Sequence, residues 1–325
     1  VGLDRLAVER VIRAGVIFPG QGSQSVGMGG ALIERYPVAA DLFRRAERVL
    51  GYDLARVIRD GPEEKLRETR FSQPAIFVTN YALALAAGGE FEVAASAGHS
   101  FAEYCSLTLA GSLDFDEALG LVNERGLAMH EAAALVPGAM AAILGLEADA
   151  VRAAAEGAGA AGRVQLANFN APGQIVISGD RDAVAEAGRL ATAAGAKRVV
   201  ALNVSGAWHS ELMEPARVRF APFVDRATIA LPRFPVISNV DAEPYRDVAT
   251  IRRNLVLSVT REVLWHATAE RLVAEGLDLL VEFGGSAVLA PLAKRVAGAP
   301  RALHVGDESG LERLASIVHE KAGVS

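Results

Sequence analysis

A short apolar segment, Phe91 to Gly98, runs into Gly98-His99-Ser100-Phe101-Ala102, and Phe101 to Ala110 has helical character closed by Gly111. A chain that passes from strand to helix within so few residues needs small side chains where the two elements meet. The pentapeptide departs from G-x-S-x-G only in carrying Ala102 for the last glycine. In such an elbow the serine sits on a strained turn with its hydroxyl exposed at the end of a sheet. Taken alone, the same residues also describe a serine that caps the helix. Strand, tight turn and helix are common to both readings and point to the α/β class.

With 325 residues the chain is long for a single hydrophobic core, so two subdomains are expected. No run approaches the length of apolar residues needed to cross a bilayer. Val1 to Ala14 mixes Asp4, Arg5, Glu9, Arg10 and Arg13 among apolar residues, unlike a signal peptide, and reads as an extension over 1–14 preceding the fold. The single cysteine, Cys105, excludes an intramolecular disulfide framework and argues against a thiolate metal site; no metal is expected, and a cytoplasmic location is. A net charge of −6 lacks the basic footprint of a nucleic-acid binder. Neither nucleic acid nor membrane is an expected partner.

Val16-Ile17-Phe18 reads as a buried strand stopped by Pro19-Gly20-Gln21-Gly22-Ser23-Gln24, a loop rich enough in glycine to expose backbone amides. Helices are expected over Ala31–Tyr36, Ala39–Leu50 and Gln73–Ala87. Between Gly138 and Val204 the pattern becomes strand Ala139–Leu144, helix Glu147–Glu156, strands Val164–Asn168 and Gln174–Ser178, helix Arg181–Ala194 and strand Lys197–Asn203. Val184, Ala187, Ala191 and Ala194 share one helical face, as a helix lying on a sheet requires. The order βαββαβ is ferredoxin-like. The expected architecture is therefore a large α/β-hydrolase-like subdomain, 15–130 and 206–325, with an inserted ferredoxin-like small subdomain at 131–205 and a site in the cleft between them.

A serine hydroxyl becomes a useful nucleophile only when a base takes its proton. Of six histidines, His99 adjoins Ser100 and reads as a packing or hydrogen-bonding residue beneath the turn, while His130, His266, His304 and His319 lie in helical or peripheral segments. His209 differs. It stands in Ser205-Gly206-Ala207-Trp208-His209-Ser210, at the exit of an apolar strand beside the subdomain junction. Asp114, with Glu117 three residues on, predicts the start of a helix from Phe115 past Met129. Ala118, Val122, Arg125 and Met129 recur on one face of it, so the Arg125 guanidinium is carried toward the apolar side. Such a charge needs an anion, either an internal carboxylate or a ligand.

The set Phe18-Pro19-Gly20-Gln21-Gly22-Ser23-Gln24, Gly98-His99-Ser100 with Glu103-Tyr104, Arg125-Gly126, Asn168-Phe169-Asn170 with Pro172 and Gln174, Gly206-Ala207-Trp208-His209, and Ser238-Asn239-Val240 resembles the malonyl-CoA:acyl-carrier-protein transacylase family, in order, over roughly residues 15 to 310. The resemblance implies an acyltransferase with Ser100 as nucleophile and His209 as general base and acid. It implies an oxyanion hole from the backbone amides of Gln21 and Phe101, and Arg125 as the clamp on the free carboxylate of a malonyl-type acyl group. It also implies that a backbone carbonyl, matched to Leu264, orients His209 in place of a catalytic Asp. Trp208 falls where the family bears on the acyl α-substituent, and its indole favours unsubstituted malonyl. Asn170 is expected in the substrate cleft or as a bridge between two loops; Gln73 is expected to be structural.

The implied reaction is ping-pong, with no bound cofactor: a CoA thioester donates, and the phosphopantetheine thiol of an acyl carrier protein accepts. A substituted or carrier-bound extender unit, and a hydrolase that edits carrier proteins, are the alternatives on the same dyad; a noncatalytic carrier-docking module is the rival of another class. Glu282-Phe283-Gly284-Gly285-Ser286 and Glu262 depart from the family pattern in their loops. Lys197-Arg198 and Lys294-Arg295 are candidate basic contacts for an acidic carrier or plain solvated charges.

Overall fold

The computed structural model describes residues 11–89 and 91–322. Among these, eight strands form two sheets: β1 (Arg13–Phe18), β2 (Glu92–Gly98), β3 (Ala139–Leu144), β4 (Val164–Ala171), β5 (Gln174–Gly179), β6 (Arg198–Ala201), β7 (Leu279–Phe283) and β8 (Ala302–Val305). The first sheet has the order β2-β1-β7-β8 and every pairing in it is parallel. Its central strands are largely apolar, as burial on both faces demands; Leu279–Phe283 is buried at every position, Glu282 included. Helices Thr69–Ala86 and Phe115–Leu135 cover one side, where Phe18, Phe77, Tyr104 and Phe115 join a single core.

The second sheet has the order β4-β5-β3-β6, antiparallel throughout, with helices Ala148–Gly157 and Arg181–Ala193 connecting its strands. This is the expected ferredoxin-like subdomain, and it has a core of its own built on Ile143, Val151, Ile175, Ile177, Val184 and Ala187. Ala194 is an exception to the expected buried face, because the helix ends at Ala193 and the residue is exposed.

Two expected boundaries move. Strand β1 starts at Arg13, inside the segment read as an extension, since Arg13 and Ala14 already pair with Glu92 and Val93; residues 1–10 of that segment lie outside the described residues. The helix from Phe115 continues unbroken to Leu135, so 131–135 belong to a large-subdomain helix and the inserted unit begins after it. No helix among the described residues is long and apolar enough to cross a membrane.

Register positions the site. Phe18 and Gly98 are partners at the carboxyl ends of β1 and β2, so the glycine loop and the serine turn leave the sheet side by side, at the edge where open α/β sheets bind ligands. The two loops are nearly in contact: a Cβ on Gly20 would lie 2.6 Å from the carbonyl oxygen of His99. Gly98 is tighter still, with a hypothetical Cβ 2.0 Å from the Ala102 oxygen. Gly98→Ala is therefore expected to cost at least ~3 kcal/mol by overpacking against backbone. A thermal melt should show Tm lower by roughly 5 °C or more. Ala102, by contrast, packs its methyl group wholly buried in the large core.

Candidate active site

Three non-glycine residues among those described have left-handed backbone: Ser100 at φ 57°, His209 at φ 57° and Ala242 at φ 56°. Two of them face each other. Such conformations cost about 1–3 kcal/mol each and persist only where surrounding contacts impose them. Ser100 is the first residue of a single 3₁₀ turn that leads into helix Glu103–Leu109, and its Oγ lies 2.7 Å from His209 Nε2. The other ring nitrogen, Nδ1, is 3.1 Å from the carbonyl oxygen of Arg261. A carbonyl can only accept, so Nδ1 carries the hydrogen and Nε2 keeps its lone pair for the serine O–H. Burial first, then the positive charge of Arg125, depresses the His209 pKa to about 3. The imidazole is thus neutral at physiological pH, the form a general base requires.

Gln21 and Phe101 lie in the two adjoining loops and line the same cavity as Ser100. Neither backbone amide donates a hydrogen bond within the chain among the described residues, whereas the Ser100 amide is occupied by Asn239 Oδ1 at 3.0 Å.

Arg125, on helix Phe115–Leu135, is only 1% exposed, and among the described residues no carboxylate forms a hydrogen bond or ion pair with its guanidinium. Nη1 donates to Gln73 Oε1 at 2.9 Å, Nη2 approaches Ser100 Oγ at 3.3 Å, and Nε has no partner. Burial pulls its pKa down to about 10, which leaves it charged at neutral pH. A buried cation held by neutral groups is unfavourable unless an anion arrives. Among the described residues, no internal ion pair of the kind left open by the sequence forms at Arg125.

These groups line one cavity of about 340 Å³. Gln21, Ser100, Arg125 and His209 form its reactive wall, and the small subdomain closes it with Met140, Asn168 and Leu202. Trp208 lines it too, its ring pressed against Gly206, where a Cβ would fall 2.6 Å from the indole.

The acyl transferase domain family model matches residues 16–295. The malonyl CoA-acyl carrier protein transacylase of Escherichia coli K12 is 41% identical over 283 residues, covering 86% of this chain and 91% of that one. The chain belongs to this transacylase family. Among solved structures of the family, the malonyl CoA-acyl carrier protein transacylase of Coxiella burnetii is similar with TM-score 0.90 at 35% identity, over 96% of this chain and 98% of that one. A malonyl-transacylase solved in complex with a type II polyketide synthase acyl-carrier protein gives 0.89 at 37% identity, over 94% and 99%.

Within this transacylase fold, two expected roles need correction. Leu264 does not orient His209: its carbonyl is taken by the Thr268 amide at the start of helix Trp265–Val273, and its amide by Asn239 O. Val263 next to it is spent on the small subdomain, accepting from Phe169 N and donating to Ala167 O. The carbonyl that reaches the ring comes from Arg261, in the turn after helix Val248–Leu257. Asn170 does not line the cleft; its Oδ1 holds His99 Nε2 at 3.0 Å, so it is the loop bridge, and His99 lies beneath the turn near the Trp265 ring.

Gln73 does more for this transacylase site than the sequence suggested. It ties Arg125 to Thr69 Oγ1 at 2.8 Å, and Thr69 reaches Gln21 Oε1 at 3.3 Å, so the cation and the glycine loop share one relay. The signal was available: Thr69, Ser72, Gln73, Thr79 and Asn80 are buried polar residues along one largely apolar helix. Glu282 proves to be structural, its buried carboxylate accepting the amides of Val288, Leu289 and Ala290 at 2.8 Å each. Arg295 is bound to Gln174 and Pro172 of the small subdomain, while Lys197 and Arg198 are exposed.

Proposed function

We propose that the protein transfers a malonyl group from coenzyme A to the phosphopantetheine thiol of an acyl carrier protein, through an acyl ester on Ser100. The observation that carries this is the 3.3 Å approach of a buried Arg125, without a carboxylate partner among the described residues, to the same Ser100 Oγ that His209 reaches at 2.7 Å. A nucleophile and an anion site so close together suit a short acyl chain that ends in a carboxylate. A long fatty acyl chain would meet the charge.

His209 Nε2 takes the Ser100 proton as Oγ attacks the thioester carbonyl. The resulting oxyanion accepts from the Gln21 and Phe101 amides, each such donor commonly being worth about 3 kcal/mol. Collapse expels the CoA thiolate, which receives the proton from His209, and the malonyl ester remains with its carboxylate on Arg125. The carrier's thiol then repeats the sequence in reverse, again losing its proton to His209. Trp208 confines the space beside the acyl α-carbon, which favours malonyl over α-substituted units.

Intact-mass measurement after exposure to malonyl, methylmalonyl, ethylmalonyl and acetyl thioesters tests the proposal. The expected outcome is a malonyl adduct on Ser100, absent from Ser100→Ala, that transfers to carrier protein faster than it hydrolyses. Rapid release to water with no transfer would make the protein an editing hydrolase. No adduct with any thioester would make it a docking module.

A further inference from the structure

The left-handed Ser100 needs something to hold it, and the residues that do so lie outside the reacting groups. Asn239 is completely buried beside the turn. Its Oδ1 accepts the Ser100 amide at 3.0 Å and its Nδ2 donates to the Gly98 carbonyl at 2.7 Å, so one side chain clips the turn on both sides of His99. The orientation of that amide is fixed by the Ser100 N–H, which can only donate, and the Gly98 carbonyl, which can only accept; Glu103 supports it, Oε2 accepting from Asn239 Nδ2 and also from Asn239 N at 2.8 Å. Glu103 Oε1 in turn accepts from the Tyr245 hydroxyl. Glu103 and Tyr245 are themselves buried, and the strand-like segment that carries Asn239 is fastened to β2 through Ser96 N to Pro235 O and Ile237 N to Ser96 O, both 2.9 Å.

We propose that Asn239, supported by Glu103 and Tyr245, is a positioning residue that locks Ser100 in its left-handed conformation and so aims Oγ at His209. The assignment rests on Ser100 being the nucleophile. Because Asn239 consumes the Ser100 amide, the next amide in the chain, that of Phe101, is the one left for the oxyanion. The clip therefore serves two parts of the reaction at once: the direction of attack and the identity of the donor. Asn239 makes no contact with the cavity, so substrate binding does not depend on it.

The test is single-turnover acylation of the full-length protein by malonyl-CoA. Asn239→Ala is expected to lower the acylation rate constant by about 100-fold, the scale of a misplacement near 1 Å, with KM little changed. In a Ser100→Ala background, adding Asn239→Ala should leave the dissociation constant for malonyl-CoA within twofold, to within the usual scatter of about that size for an uncoupled site. Glu103→Gln should retain most of the rate, since one amide oxygen has lone pairs for both Asn239 donors, while Glu103→Ala should fall with Asn239→Ala. Tyr245→Phe, which deletes a single O–H and is the safeguard should Asn239→Ala not fold, should slow acylation about fivefold. Wild-type acylation in Asn239→Ala or Tyr245→Phe, or a loss of rate matched by an equal loss of binding, would overturn the positioning role. If Ser100→Ala still takes up malonyl, the nucleophile assignment itself falls; if Ser100→Ala is inert and Asn239→Ala is fully active, only the clip does.

Discussion

Arg125→Ala is expected to lower kcat/KM for malonyl-CoA by about 10²–10⁴ and to bring the malonyl to acetyl preference close to unity. The first figure follows from two lost charge-assisted hydrogen bonds at ~1.5–3 kcal/mol each, with every 1.36 kcal/mol worth about tenfold in rate. The second follows from the state of the free enzyme. The guanidinium is buried with Gln73 and Ser100 as its partners, so an acetyl group presents a methyl to a desolvated charge, and removing the charge relieves that opposition. Steady-state kinetics with both thioesters read the ratio. A ratio that stays at the wild-type value would mean that Arg125 is not the carboxylate clamp. Lysine should not restore it, because an ammonium cannot offer the two parallel donors that match a carboxylate.

Much of this site is legible in the sequence, and the reasons differ from residue to residue. Ser100 shows in its near-match to the elbow and His209 in its place at a strand exit beside the subdomain junction, and Gly98 and Gly206 stand where a Cβ would strike backbone or indole. Arg125 was legible from helical periodicity alone, which put a cation on a buried face; whether it met a carboxylate inside the protein required side-chain geometry. The inserted subdomain showed in its strand and helix rhythm. Its boundary at 130 did not, because a helix that spans a domain junction keeps its periodicity across it, and Phe115–Leu135 does so. Arg261 was invisible for a plainer reason. It acts through its carbonyl, which every residue owns, and only the competing bonds at Val263 and Leu264 decide which carbonyl is free to reach the ring.

His209 is the residue whose pH behaviour follows most directly from its surroundings. His209→Ala is expected to slow acylation by about 10²–10⁴, the usual contribution of a positioned general base. In the wild type, burial and the nearby Arg125 charge hold the folded-state pKa at about 3, far below the ordinary 6.5. Between those values the unfolded chain takes up a proton that the folded chain refuses. Stability therefore declines as pH falls below 6.5, while the base itself stays neutral and competent. The acid limb of kcat/KM for malonyl-CoA, which reports the free enzyme, should accordingly lie well below pH 6.5. Once a malonyl carboxylate sits on Arg125, the charge that opposes protonation of His209 is neutralised, so the acid limb of kcat, which reports the bound complex, should lie at higher pH than that of kcat/KM. Acetyl-CoA carries no such carboxylate and should show no separation. Arg125→Gln should move the kcat/KM limb upward toward 6.5 by removing the charge outright. Coincident limbs for malonyl-CoA, or an Arg125→Gln profile identical to wild type, would show that the two groups do not sense each other. The anion site and the base would then be neighbours without being coupled, and the donor's carboxylate would select the substrate without also making His209 a stronger base.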